Sequence, residues 1–172
     1  MKYLCYLIIS SVFFLSSCGP TVRISTTRLE AREKMNPVHV IVMGDYETDN
    51  AMNYVKQLLT DSLKNNSIEV TSTYTCCRNK ATDVNKRIEA LLPDPAPRYV
   101  LAAVITKVVI GYGTTSSREL VIDLWDSENK KSIWHAKLHI DVAWFRSEKS
   151  YHKFAKKVND EIVAEMKRRK IV

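Results

Sequence analysis

Two histidines, His135 and His139, stand four residues apart in a segment where apolar and polar residues alternate, which is typical of a strand. That spacing spans about 13 Å along a strand, which is too far for both rings to bind one metal ion. A turn at residues 126–130 joins this segment to an earlier alternating one. Pairing the two apolar faces places Asp123 opposite His135 and Glu119 opposite His139. We therefore expect cross-strand pairs here instead of a metal site.

The polar positions of these two segments form a candidate interaction face. Its members are Glu119, Asp123, His135, Lys137, His139 and Asp141. Mixed charges on a solvent-exposed face can fix the register of a bound partner, whereas without burial they are weak at moving protons. We therefore predict that this face binds a partner and carries no catalytic residue.

The cysteines after residue 18 are Cys76 and Cys77, which are adjacent in the chain. Neighbouring Cα atoms lie about 3.8 Å apart, below the usual disulfide span of about 4.4 to 6.8 Å, so a bond between these two would be strained. No C-x-x-C spacing suggests redox work. Three interpretations remain open for these two residues. Their thiols are free or buried, they form a strained or intermolecular disulfide, or, as the weakest of the three, they bind a metal ion.

Motifs for the common enzyme chemistries are missing from the sequence. There is no G-x-S-x-G elbow, P-loop, G-x-G-x-x-G or H-E-x-x-H, and the stretch from Gly111 to Gly113 is too short to cradle phosphate. Trp125, Trp134 and Trp144 suit core or rim packing better than a sugar platform. We expect no enzyme activity, no cofactor and no bound metal.

The N-terminus reads as an export signal. Lys2 precedes an apolar run from Tyr3 to Leu15, and small residues lead to Cys18. The run has only about a dozen residues, whereas a membrane-spanning helix needs roughly 20. We therefore predict a signal peptide over residues 1–17.

Leu15-Ser16-Ser17-Cys18 resembles the lipobox of bacterial lipoproteins. The resemblance implies cleavage between Ser17 and Cys18, with a diacylglycerol on the cysteine sulfur and usually a further acyl chain, such as palmitate, on its amino group. Two or more acyl chains anchor a protein stably to a membrane. No acidic pair follows Gly19, so we expect the periplasmic face of the outer membrane. An ordinary cleaved signal with an incidental cysteine is the alternative.

The charge balance limits the partners. The chain carries 26 Lys and Arg against 19 Asp and Glu, a formal net charge of +7. An exported, tethered domain does not meet nucleic acid, so the available polyanions are lipid headgroups, lipopolysaccharide and peptidoglycan. A basic surface that only aids solubility is an equal alternative. The run from Lys167 to Lys170 is the one concentrated basic patch, with a frayed helix end as its default explanation.

Hydrophobic periodicity predicts an α+β domain over residues 37–172. Strands are expected near 38–43, 67–74 and 99–110 and in the two hairpin segments, with helices following Thr48 or Asp49, Asp83 and Ser147. This order favours a single mixed sheet of about five strands that ends in an antiparallel hairpin and has helices on one face. Residues 18–36 are expected to form the lipidated N-terminus and tether, in which Val22 and Ile24 could form a short edge strand.

The hairpin sequence ELVIDLWDSENKKSIWHAKLHI resembles a segment of small, mostly uncharacterised periplasmic and outer-membrane lipoproteins. The resemblance implies a shared α+β scaffold and brings no catalytic residues. We expect a non-enzymatic accessory, assembly or interaction module of the cell envelope, anchored through lipid on Cys18 and contacting an envelope protein. The alternative is a periplasmic binder or hydrolase that acts on an anionic envelope ligand in a pocket between sheet and helices.

Overall fold

A computed structural model describes residues 22–29, 35–45, 48–76, 84–110, 116–142 and 147–172. The elements in these ranges are, in chain order, β1 (Val22–Leu29), β2 (Val38–Gly44), α1 (Asp49–Asn65), β3 (Val70–Cys76), α2 (Val84–Glu89), β4 (Tyr99–Ile110), β5 (Ser116–Asp126), β6 (Lys131–Val142) and α3 (Glu148–Arg168). They form one mixed sheet with helices, which confirms the α+β class. In the described ranges, no helix is both long enough and apolar enough to cross a membrane.

The strand order in the sheet is β1-β6-β5-β4-β2-β3. The neighbouring pairs β1–β6, β6–β5 and β5–β4 are antiparallel. In contrast, β2 runs parallel to both of its neighbours, β4 and β3. The four-residue turn between β5 and β6 allows only an antiparallel hairpin, while parallel neighbours need long crossovers. Here α1 lies in the crossover from β2 to β3, and α2 in the crossover from β3 to β4.

The edge strand β1 lies in the segment predicted to be a tether. It pairs with β6 from Val22 opposite Ile140 to Leu29 opposite Trp134, with an irregularity after Thr26. The edge strand expected at Val22 and Ile24 is therefore present, and it extends further than expected, to Leu29. The sheet starts before residue 37, the expected start of the domain, because β1 supplies backbone partners to the outer edge of β6.

The main core lies between the sheet and the two long helices. Alternate residues of β2, β5 and β6 face these helices and are fully buried, among them Val40, Leu120 and Trp134. The helices contribute apolar stripes at helical spacing, such as Val55 on α1 and Phe154 on α3. The Trp134 ring is part of this core, in agreement with a packing role for that tryptophan.

A smaller apolar cluster covers part of the opposite face. Ile88 of α2, with Leu91 and Leu92 just after it, packs on this face against the apolar residues of β2 and β4 and the half-buried Trp125. The two long helices therefore share one face, as expected, whereas α2 lies on the other. The cause is β2, whose Ile41 and Met43 present a second apolar row that must also be buried.

Candidate functional site

The candidate face predicted from the hairpin lies on the side of the sheet away from α1 and α3. Leu120, Ile122 and Leu124 of β5 point into the main core, so the residues between them point the other way. The register places Asp123 opposite His135 and Glu119 opposite His139, which confirms the predicted pairing. We call Glu119, Asp123, His135, Lys137 and His139 the polar sheet face.

One ion pair and one contact between a histidine and a carboxylate position the side chains of the polar sheet face. Lys137 Nζ lies 3.2 Å from Glu119 Oε1, and His135 Nδ1 lies 3.8 Å from Asp123 Oδ2. Ser132 Oγ also donates a hydrogen bond to Asp123 Oδ1. The acidic side chains are about one-fifth exposed, 20% for Glu119 and 18% for Asp123. The face is therefore an ordered pattern of partly covered charges.

The polar sheet face is the open half of its side of the sheet. On the other half, Ile41 and Met43 are completely buried in the cluster that includes Ile88 of α2. On this half, His139 is exposed and the Lys137 side chain is 40% exposed. Ser25 of β1 pairs with Lys137 and is exposed as well, so β1 extends the face by one strand. A partner can reach these side chains from solvent.

Other residues expected from the sequence are only partly visible. The backbone of Asp141 pairs with Ser117 near the end of β6, but its side chain lies outside the described residues. Cys18, Ser17 and Cys77 also lie outside them. Cys76 ends β3 and is half-buried.

A second polar group, missed by the sequence reasoning, lies where β2 and β3 end. We call it the strand-end cluster: Asp45, Thr48, Asp49, Tyr74 and Arg118. The Arg118 residue is only 3% exposed, and its Nε lies 3.1 Å from Asp45 Oδ2. The backbone amide and hydroxyl of Thr48 donate to Asp45 Oδ1 at 2.8 and 2.7 Å. Tyr74 Oη donates to the Asp49 carbonyl at 2.9 Å and to its carboxylate.

The strand-end cluster occupies a topological switch point. The chain leaves β2 towards α1 on one face of the sheet and leaves β3 towards α2 on the other. In open sheets with parallel strands, ligands favour the crevice at such a point. The sequence does hold one signal for it, since Arg118 stands at the same strand parity as the buried Leu120 and Ile122. A charged residue at a core position marks a buried ion pair.

Gly44 shows how tightly this end is packed. A Cβ atom at Gly44 would lie 2.7 Å from Tyr74 Oη and 3.3 Å from Met52 Cβ. A side chain at position 44 would have to displace the Tyr74 hydroxyl, which donates a hydrogen bond to Asp49. The strand-end cluster is therefore a dense junction between β2, β3 and α1.

His39 of β2 is a third candidate considered from its chemistry. Its Nδ1 lies 2.7 Å from Thr71 Oγ1 and its Nε2 lies 3.1 Å from Thr73 Oγ1, so hydroxyls of β3 occupy both ring nitrogens. Burial lowers the pKa of His39. In the described parts of the chain, no group of three or more His, Cys, Asp or Glu side chains is arranged to hold a metal ion.

Comparisons with known proteins give limited likenesses. No family model and no curated protein matches the sequence. The PelC dodecamer from Paraburkholderia phytofirmans is similar at TM-score 0.46 and 19% identity, over 81% of this chain and 96% of that one. A DUF330 protein from Xanthomonas campestris is similar at TM-score 0.45 and 11% identity, over 86% of this chain and 92% of that one. A lipoprotein from Neisseria meningitidis is similar at TM-score 0.42 and 11% identity, over 76% of this chain and 99% of that one. At TM-scores below 0.5 these likenesses assign no function to the chain.

Proposed function

We propose that this chain is a lipid-anchored protein of the bacterial cell envelope and that its domain binds an envelope protein through the polar sheet face. In this proposal Cys18 carries the acyl chains, and the domain acts as a non-enzymatic accessory or assembly module. The lipobox-like residues Leu15 to Cys18 support the anchor. The missing acidic pair after Gly19 supports the periplasmic face of the outer membrane.

One observation carries the binding role. The polar sheet face holds the ion pair of Lys137 with Glu119 and the contact of His135 with Asp123, on the half of the sheet that is open to solvent. Charges that strands hold in fixed positions attract a surface of complementary charge and repel a surface of like charge. They contribute to the specificity of binding more than to its affinity. Strands also present their side chains at regular spacing, so a partner would meet one defined pattern.

The test reverses two charges of the polar sheet face. Glu119→Lys combined with Lys137→Glu reverses one ion pair of the face that a partner would contact, so we expect the partner recovered by crosslinking in intact cells to fall several-fold. Partly exposed pairs contribute about 1 kcal/mol or less, so the domain should stay folded. Partner recovery by mass spectrometry and the thermal unfolding midpoint check these two expectations.

A matched control reverses an ion pair elsewhere. Lys156 and Asp160 form an exposed i,i+4 pair on α3, on the opposite side of the sheet. Lys156→Glu with Asp160→Lys changes as many charges and should leave partner recovery at the wild-type level. Equal losses for both variants, or unchanged recovery for both, would contradict a binding role for the polar sheet face.

The alternative function, a binder or hydrolase of an anionic envelope ligand, also has a specific observation in its favour. The buried guanidinium of Arg118 lies at the topological switch point, where ligands favour the sheet. Asp45 compensates its charge, and Asp49 adds a second carboxylate nearby, so the strand-end cluster is not a cationic pocket. We therefore rank this function second.

A further inference from the structure

Strand β5 carries a row of alternating charged and apolar side chains on the side of the sheet away from the main core. The row consists of Glu119, Val121, Asp123 and Trp125, and the β5 residues between them are buried in the main core. Each of these four residues is half-buried. The row therefore offers two apolar side chains, those of Val121 and Trp125, to whatever covers this side of the sheet.

The two apolar side chains lie at the border between the covered half and the open half of this side. Trp125 packs against the apolar cluster that includes Ile88 of α2, and it pairs with the buried Val100 of β4. Val121 pairs with Val104 of the same cluster on one side and with Lys137 of β6 on the other. The apolar surface of the cluster thus continues onto β5, where it is partly exposed to solvent.

The spacing of the two apolar side chains suits a helix that lies along β5. Val121 and Trp125 are four residues apart in a strand, which is about 13 Å. A helix spans this distance in about nine residues, so one apolar residue at each of three successive turns would cover both side chains. Helices α1 and α3 cover one side of the sheet, and α2 covers part of the other. A further helix on β5 and β6 would complete the second helical layer.

Basic residues predominate on the open side of the row. The Lys137 side chain is 40% exposed and His139 is exposed, whereas the two carboxylates of the polar sheet face are about one-fifth exposed and each has a partner within the face. By strand register, four further charged residues belong to this side of the sheet, and three of them are basic: Arg23, Arg28 and Lys107, against Asp141. A partner therefore gains most from carboxylates on the flank that faces β6 and β1.

We propose that the partner binds through an amphipathic helix that lies along β5. Its apolar face covers Val121 and Trp125, and its Asp and Glu residues face β6 and β1. The apolar contacts supply most of the affinity, and the charges fix the direction of the helix. This inference rests on the proposed function, because it describes the element by which the same partner contacts the polar sheet face.

Photocrosslinking from within the row tests the proposal. The full-length chain carries p-benzoylphenylalanine in place of Val121, or in place of Val163 as a control, and is irradiated in intact cells. Val163 is a half-buried valine of α3 on the opposite side of the sheet. A protein should be crosslinked from position 121 and not from position 163. Mass spectrometry should place the crosslink in a peptide with apolar residues at helical spacing and with Asp or Glu beside them. A synthetic copy of that peptide should gain helical circular dichroism when it binds the purified chain.

A matched pair of substitutions tests the apolar contact. Val121→Asp places a carboxylate against both the apolar face and the acidic flank of the helix, so partner recovery by crosslinking should fall several-fold. Val163→Asp makes the same change on the opposite side and should leave recovery at the wild-type level. The thermal unfolding midpoint shows whether each variant is folded. If aspartate at position 121 unfolds the domain, Val121→Thr keeps the β-branched shape and should still lower recovery.

The outcomes separate the helix from the binding role of the face. A phospholipid adduct, a second copy of this chain, a peptide without helical periodicity, or no crosslink at position 121 would overturn the helix. In each of these cases a loss of partner with Glu119→Lys and Lys137→Glu would leave the proposed function standing. Unchanged partner recovery after both Val121→Asp and the charge reversal would overturn the two proposals together.

Discussion

His39 shows how a single buried side chain connects a central strand to the edge of the sheet. It is 3% exposed, and each ring nitrogen has a threonine hydroxyl of β3 as its partner. Burial disfavours the charged imidazolium, which lowers the pKa of His39 below its ordinary value of 6.5. The unfolded chain therefore binds this proton more readily than the folded one does. The free energy of unfolding therefore decreases as the pH falls below the pKa that His39 has in the unfolded chain. The decrease ends once the pH is below the lower pKa that His39 has in the folded chain.

Replacing His39 removes this pH dependence. For His39→Gln, whose amide can still bond a threonine hydroxyl, we expect the free energy of unfolding to fall less than in the wild type between pH 7 and pH 5. Urea denaturation at a series of pH values measures it. His152→Gln is the control, because that ring lies on the exposed surface of α3. An equal pH dependence in His39→Gln and the wild type would contradict the assignment.

At this scale the sequence predicted some pairs and missed others. Asp123 opposite His135 follows from strict alternation on both sides of a short turn, which leaves one register that buries both apolar faces. The contact between Arg118 and Asp45 depends instead on how separate crossovers place β4 between β2 and β5, so that the Arg118 side chain reaches across β4 to the end of β2. No local pattern encodes that contact.

Among the elements, α3 has a defined start. Ser147 accepts a hydrogen bond from the Ser150 amide, and the Ser150 hydroxyl accepts one from the Ser147 amide, so the two residues form a capping box. Glu148 in the first turn and Lys167 in the last complement the helix dipole. The apolar stripe and this cap were both readable in the sequence, which is why the helix was predicted at Ser147.

Removing the cap should weaken the domain measurably. Ser147→Ala leaves an amide of the first turn without its side-chain acceptor, at an expected cost of about 1 kcal/mol in the free energy of unfolding. Chemical denaturation detects a change of this size. Ser147→Asp supplies another acceptor and should stay close to wild type, and a loss as large as that of the alanine variant would rule out the capping role.

Strand β1 and helix α2 were harder to predict from the sequence than α3. The stretch from Val22 to Leu29 is largely polar, because an edge strand needs only backbone partners and one covered face. The position of β1 in the sheet therefore depends on the backbone groups along the edge of β6, with which β1 pairs. Helix α2 is too short for periodicity to show which face it covers, and the second apolar row of β2 decides that instead.

For the whole molecule, the order of crossovers explains why one half of the sheet face is open. Helix α1 covers one side of the parallel strands and α2 covers the other, while the β5–β6 hairpin and β1 extend the sheet beyond the reach of α2. That extension leaves the polar sheet face open. The same antiparallel extension places Val22, the first residue of β1, opposite Ile140 near the end of β6.

The measurement that tests the central claim most directly is incorporation of labelled palmitate into the wild-type chain and Cys18→Ala, followed by membrane fractionation. We predict that the wild type is labelled and sediments with membranes, because its acyl chains bury enough methylene groups for stable anchoring. Cys18→Ala should be unlabelled and either soluble or unprocessed. A Cys18→Ala chain that is still cleaved at its N-terminus and still bound to membranes would contradict the account.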